Sequence, residues 1–181
     1  MSDPFIFLID TLFSIYIAIM LLRFILQQVG ADFYNPISQF VVKLTHPLVQ
    51  VARRIIPSYR RVDLATLILV LLLILLKLSV IFAIAGQPFS AQQLTMQAVY
   101  DFISLGFDVF IVALFVQAIL SWVNPDPYSP VNSLLNTLTA PVLRPIRKAI
   151  PPISGIDLSV LVALIALMFL KRLVLSVFLM L

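Results

Sequence analysis

Cysteine is absent from the 181 residues, which excludes disulfides, thiolate chemistry and cysteine metal ligands. Glutamate is absent as well: all eight acidic residues are aspartates. Histidine occurs once, as His46. One imidazole without cysteines or clustered carboxylates does not build a zinc or haem site, and no His–Asp partnership stands behind any hydroxyl to make it a nucleophile. Four glycines leave no Gly-rich phosphate loop. The usual equipment of an enzyme is missing, so the chain is expected to be non-enzymatic and to need no cofactor.

Charge is scarce too, at 11% of residues, whereas 62% are hydrophobic. Mean hydropathy is +1.12. Soluble domains are nearer about 45–50% apolar. The excess lies in runs long enough to cross a bilayer, which takes roughly 20 helical residues. Four are expected, at residues 5–26, 64–85, 99–123 and 158–181. The first run has no basic flank and no small-residue cleavage pattern, so it reads as a retained span and not a signal peptide. The third carries Asp101, Asp108 and Gln117, and a re-entrant or interfacial segment is its alternative reading.

Two long connections, 36–56 and 130–150, have helical periodicity. In the first, Ile37, Phe40, Val41, Leu44, Leu48, Val51, Ala52 and Ile55 recur at three and four residues, with Lys43, Gln50, Arg53 and Arg54 opposite. In the second, Val131, Leu134, Leu135, Leu138, Val142 and Ile146 alternate with Asn132, Asn136, Arg144, Arg147 and Lys148. Helices with one apolar and one basic face, set between spans, are expected to lie along the interface. Asn35-Pro36 and Ser129-Pro130 read as an N-cap followed by a first-turn proline. Pro47 and Pro141 interrupt each pattern, predicting a kink or two short helices, with Thr45 and Thr139 capping the second.

A gapless shift of 94 residues superposes Pro36 on Pro130, Thr45 on Thr139, Pro47 on Pro141, Arg53 on Arg147, Pro57 on Pro151, Asp63 on Asp157 and Lys77 on Lys171. Prolines and charges falling in one register indicate an internal repeat. The expected fold is an all-α integral membrane protein of four transmembrane helices in two parallel tandem repeats, residues 1–85 and 99–181, joined by a short connection at 86–98. Each repeat has an amphipathic interfacial segment between its two spans. The bases of the long connections place these in the cytoplasm and both termini in the periplasm.

These residues resemble the YggT family of small bacterial integral membrane proteins, related to YlmG proteins and to chloroplast Ycf19-like and CCB3-like proteins. The resemblance rests on PLVQVARRIIPSYRRVDLA, PVLRPIRKAIPPISGIDLS and the LSWVNPDPYSPVNSLLNTLTAPVLRPIRK stretch that overlaps the second. It implies a multi-pass protein of the bacterial inner membrane. It also implies a structural or assembly role, in osmotic or envelope stress, cell division or membrane-complex biogenesis. The family's Asp-Leu-Ser-Pro turn lacks its proline here, since Val160 follows Ser159.

The candidate site residues fall into three sets. Arg53, Arg54, Arg144, Arg147 and Lys148 are expected to contact anionic lipid, or to dock a protein partner. Asp63 and Asp157, with Gly155 and Ser159, read as a bend and cap at the start of a span, or as carboxylates placed for protons or cations. Lys77 and Lys171 lie within spans, where they either pair with Asp10 and Asp108, snorkel to the headgroups, or line a transport path. The expected partners are membrane lipids and a second copy or another membrane protein, with no nucleic acid, because no soluble domain is present to carry a nucleic-acid fold. The rival to the scaffold reading is a small oligomeric channel or transporter for ions or osmolytes.

Overall fold

A computed structural model describes residues 4–57, 62–86, 88–123, 129–150 and 158–178. Within them lie six helices: α1 (Pro4–Gln28), α2 (Pro36–Arg53), α3 (Leu64–Ala85), α4 (Ala91–Val123), α5 (Pro130–Ala149) and α6 (Ser159–Phe178). Helices α1, α3, α4 and α6 are long and apolar enough to cross a membrane. Much of their surface is apolar and exposed, as at Phe7, Leu12, Leu72, Phe115, Ile165 and Phe169. That is the surface a lipid solvent would cover, since acyl chains accept apolar side chains without cost.

Helix ends follow from local chemistry. Asp63 caps α3 by accepting the Thr66 backbone N–H at 3.3 Å. At the other end Gly86 takes φ 63°, and its N–H bonds the Ala83 carbonyl. That left-handed conformation suits glycine because it has no Cβ to clash. Helix α4 begins at Ala91, eight residues before the expected start of the third span. The cause is a reciprocal capping box: Gln93 N–H donates to Ser90 Oγ at 3.1 Å, and Ser90 N–H to Gln93 Oε1 at 3.0 Å. Its continuous 33 residues replace the re-entrant alternative for this segment.

Of the two outcomes expected at the prolines, a kink or a division into two short helices, the second is not found. Helices α2 and α5 each run unbroken through Pro47 and through Pro141 and Pro145, so neither connection divides into two short helices. Thr45 and Thr139 are mid-helix and do not act as N-caps. Each hydroxyl donates back one turn, Thr45 to the Val41 carbonyl at 2.7 Å and Thr139 to the Leu135 carbonyl at 2.8 Å. Proline removes the N–H that the Lys43 carbonyl would have accepted. The weakened turn is braced from outside, because Arg23 donates to the Val42 carbonyl at 3.4 Å and to Thr45 Oγ1 at 2.8 Å.

Helix α2 begins as its sequence suggests: Asn35 Oδ1 accepts the Ile37 N–H at 2.9 Å, and Asn35 Nδ2 donates to the Pro130 carbonyl at 2.7 Å. Its periodic residues divide. Val41 and Ala52 are buried, whereas Phe40, Leu48, Val51 and Ile55 stay exposed. The buried line is Ser38, Val41, Thr45, Val49 and Ala52, at three- and four-residue spacing.

The chain forms two compact units, residues 1–24 with 41–105, and residues 25–40 with 106–181. In the first, Ile17, Met20, Val49, Val70 and Ile74 are among the buried apolar side chains. In the second, Leu114 of α4, Leu143 of α5 and Ala163 of α6 form a buried cluster, with Val142, Ile146, Val160, Leu164 and Leu167 packed around it. That packing fixes α5 against α6 and sets the direction in which its polar side faces.

Candidate functional site

The first concentration of polar chemistry surrounds Lys77, in α3. Its ammonium lies 3.1 Å from Asp10 of α1 and 3.1 Å from Asp101 of α4, and donates to Ser14 Oγ at 3.4 Å. Lys77 is buried, at 8% exposure, so the two carboxylates compensate a charge that would otherwise be costly within a span. One cation facing two carboxylates joins three helices through a single atom. In the second unit Lys171 Nζ lies 2.6 Å from Asp108 Oδ1. Asp108 stands where the 94-residue shift puts Ser14, so the acid and the hydroxyl exchange places between the two halves.

The second concentration is the entry to α3. Arg53, near the end of α2, reaches Asp63 at 2.5 Å, and Thr66 Oγ1 donates to the same carboxylate at 2.7 Å. Asp63 is fully buried, whereas the Arg53 side chain keeps 42% exposure. Burial alone would push the Asp63 carboxyl upward. The Arg53 and Thr66 hydrogen bonds and the Arg53 charge outweigh it, holding the group below the usual carboxylate range. Arg53 is thus engaged with a carboxylate while much of its side chain stays exposed. Asp63 is a cap and an ion-pair partner together. Of the corresponding residues in the second half, Gly155 and Asp157 lie outside the described residues. Ser159 opens α6 and is fully buried.

Arg54, Arg144, Arg147 and Lys148 are exposed along the ends of α2 and α5. His46 is exposed on α2. Among the described residues no three His or Asp side chains gather as a metal site.

A third arrangement was not read from the sequence. Arg23, buried in α1, donates to Thr45, while Gln117 Oε1 of α4 lies 2.8 Å from Thr139 Oγ1, whose proton it shares with the Leu135 carbonyl. Both pairs are related by the shift of 94. The signal was available in Thr45 and Thr139, which fall in that register. It went unnoticed because Arg23 and Gln117 differ in type and sit inside long apolar runs. Gln117 Nε2 also donates to Asn136 Oδ1 at 2.7 Å. Beside that bond is a cavity of about 440 Å³ lined by Val29, Asn136, Thr137, Ala140, Pro141 and Arg144.

Comparison with known proteins places this geometry in context. The profile of the family described as CCB3/YggT matches residues 2–84 and again residues 96–178. An uncharacterized protein of Pseudomonas aeruginosa is 43% identical over 173 residues, covering 94% of this chain and 88% of its own. An uncharacterized Vibrio alginolyticus protein, described by its place in the proC 3′ region, is 45% identical over 166 residues, covering 90% and 89%. The protein named YggT of Escherichia coli K12, also uncharacterized, is 37% identical over 161 residues, covering 89% and 84%. No solved structure matches.

Proposed function

This chain belongs to the CCB3/YggT family, and from that premise we propose that it is a non-enzymatic scaffold of the bacterial inner membrane. Its two halves are tandem repeats of span, interfacial helix and span. Two matches to one family profile, offset by the same 94 residues as the prolines and charges, support that organisation. Helices α2 and α5 lie along the cytoplasmic interface and present Arg54, Arg144 and Lys148 to anionic headgroups, while both termini face the periplasm. The role is to hold lipid or a partner membrane protein at that face, in support of envelope stress tolerance, division or complex assembly.

The observation that carries this reading is the pairing of charge. Lys77 sits between Asp10 and Asp101, and Lys171 sits on Asp108. Contacts of 2.6–3.1 Å make these lysines braces between helices. A translocation path needs groups that exchange partners with a passing ion, binding it weakly enough for it to leave. The test is a paired measurement on the purified chain. Proteoliposomes are expected to show no ion or osmolyte flux above empty vesicles. Extraction in mild detergent is expected to yield a complex of defined size. Flux abolished by neutralising Lys77 or Lys171 would overturn the scaffold in favour of a channel.

A further inference from the structure

The cavity beside α5 has a composition that its surroundings do not require. Its six described lining residues include one cation, Arg144, and no acid. Arg144 is exposed and has no ion-pair partner among the described residues. The Thr137 hydroxyl proton is already given to the Ser133 carbonyl at 3.0 Å. Asn136 is different. Because its Oδ1 accepts from Gln117, its amide nitrogen is the end left to face a ligand, and it can only donate. The Gln117 bond therefore leaves a donor at the cavity, with a guanidinium two helical turns further along α5.

We propose that this cavity binds the phosphate group of an anionic phospholipid headgroup, with Arg144 and the Asn136 amide as its donors. Guanidinium and amide N–H groups match the oxygens of a phosphate and offer nothing to a cation. The proposal rests on the reading of α5 as an interfacial helix, which puts the cavity at headgroup depth, where basic pockets between helices take anionic lipids. A volume of about 440 Å³ falls within the range of small-ligand sites. Pro141 adds an acceptor: it has no N–H to give the Thr137 carbonyl, which is left for a headgroup hydroxyl. Phosphatidylglycerol supplies both a phosphate and hydroxyls.

The site is particular to the second half. Shifted by 94, its α5 residues become Val42, Lys43, His46, Pro47 and Gln50, so the Asn136 position becomes apolar and the Arg144 position loses its charge. The halves have exchanged a pair of residues. The first keeps arginine inside at Arg23 and glutamine outside at Gln50; the second has Gln117 inside and Arg144 outside. The first half keeps a cation among the shifted positions, Lys43, but lacks the paired Asn136 amide and Arg144 guanidinium.

The test uses the full chain in mild detergent, with bound lipid counted by native mass spectrometry. Phosphatidylglycerol, phosphatidylcholine and glycerol 1-phosphate are the probes. Wild type is expected to retain phosphatidylglycerol about tenfold over phosphatidylcholine, a ratio worth one charge-assisted hydrogen bond. Arg144→Gln is expected to abolish the preference. Asn136→Asp is also expected to abolish it, because the acid still accepts from Gln117 but turns the donor into an acceptor. Equal lipid-free melting temperatures show that both variants fold. Arg54→Gln, outside the cavity, is expected to change retention less than about twofold. Glycerol 1-phosphate displacing the lipid at comparable concentration would assign the phosphate to a soluble ester, and failure to displace it assigns the site to the bilayer. Equal losses in Arg54→Gln and Arg144→Gln would overturn the cavity while leaving the interfacial helices. Equal retention of both lipids by every protein would overturn both.

Discussion

Removing the Arg53 charge should be worse than removing the Asp63 charge, and the second change should partly repair the first. The asymmetry comes from burial: Asp63 is fully enclosed, whereas the Arg53 side chain keeps 42% exposure. In Asp63→Asn the amide oxygen still accepts the Thr66 N–H, and Arg53 turns to water, so the cost is about 1 kcal/mol. In Arg53→Met a buried carboxylate keeps only the two Thr66 donors, and the cost rises to about 2–3 kcal/mol. In the double variant no charge is stranded, so Asp63→Asn becomes stabilising in the Arg53→Met background. Reversible unfolding in mixed micelles, followed by circular dichroism at pH 7, gives the four free energies of the cycle. Acid adds a second reading. A carboxyl held below its unfolded value contributes stability that is complete above about pH 4 and is lost as pH falls through the folded value. Arg53→Met removes the bonds that depress the group and leaves the burial that raises it, so the acid loss carried by this carboxyl should be smaller in the variant than in the wild type. A double variant less stable than Arg53→Met would refute the reasoning.

The same unfolding measurement separates the two intramembrane lysines. Lys77→Met should cost about 2 kcal/mol or more, because its site is buried and two acids lose their counter-charge, and Asp101→Asn should recover part of that loss. Lys171→Met should cost about 1 kcal/mol or less, since Asp108 keeps 45% exposure and water can reach it. Ser90→Ala should cost about 1 kcal/mol and speed amide exchange in the first turn of α4 while leaving α3 unchanged. Arg23→Gln, which reproduces the residue at position 117, should retain the bond to Thr45 and melt above Arg23→Leu.

What could be read from the chain beforehand was whatever short-range chemistry decides. Uninterrupted apolar runs identified α1, α3 and α6 within a few residues, because bilayer thickness imposes a length. Asp63 was readable as a cap from its place before one of those runs. The start of α4 was written in Ser90 and Gln93 but masked by the polar residues around them, which resemble a loop in hydropathy. Asp101 was visible as a polar residue in a span, yet its partnership with Lys77 depends on how α3 meets α4. Thr45 and Thr139 were misassigned for the converse reason. A local rule, proline as helix breaker, did not decide the element ends: both helices continue through their prolines, and near Pro47 the buried Arg23 donates to the Val42 carbonyl and the Thr45 hydroxyl from another helix.

Helix α3 is closed at one end by Asp63 and at the other by Gly86, so its 22 residues give a fixed rod of about 33 Å. That is close to the roughly 30 Å of a hydrocarbon core. Helix α4, at 33 residues and about 50 Å, has spare length, and its surplus beyond Ser90 is rich in glutamine. The two helices therefore respond differently when the surrounding bilayer thickens or thins. The capped rod prefers one thickness, while the long helix adapts by sliding its Gln92–Gln93–Gln97 turn into or out of the headgroups or by tilting. The capped α3 and the longer α4 therefore differ in the bilayer thickness each would match.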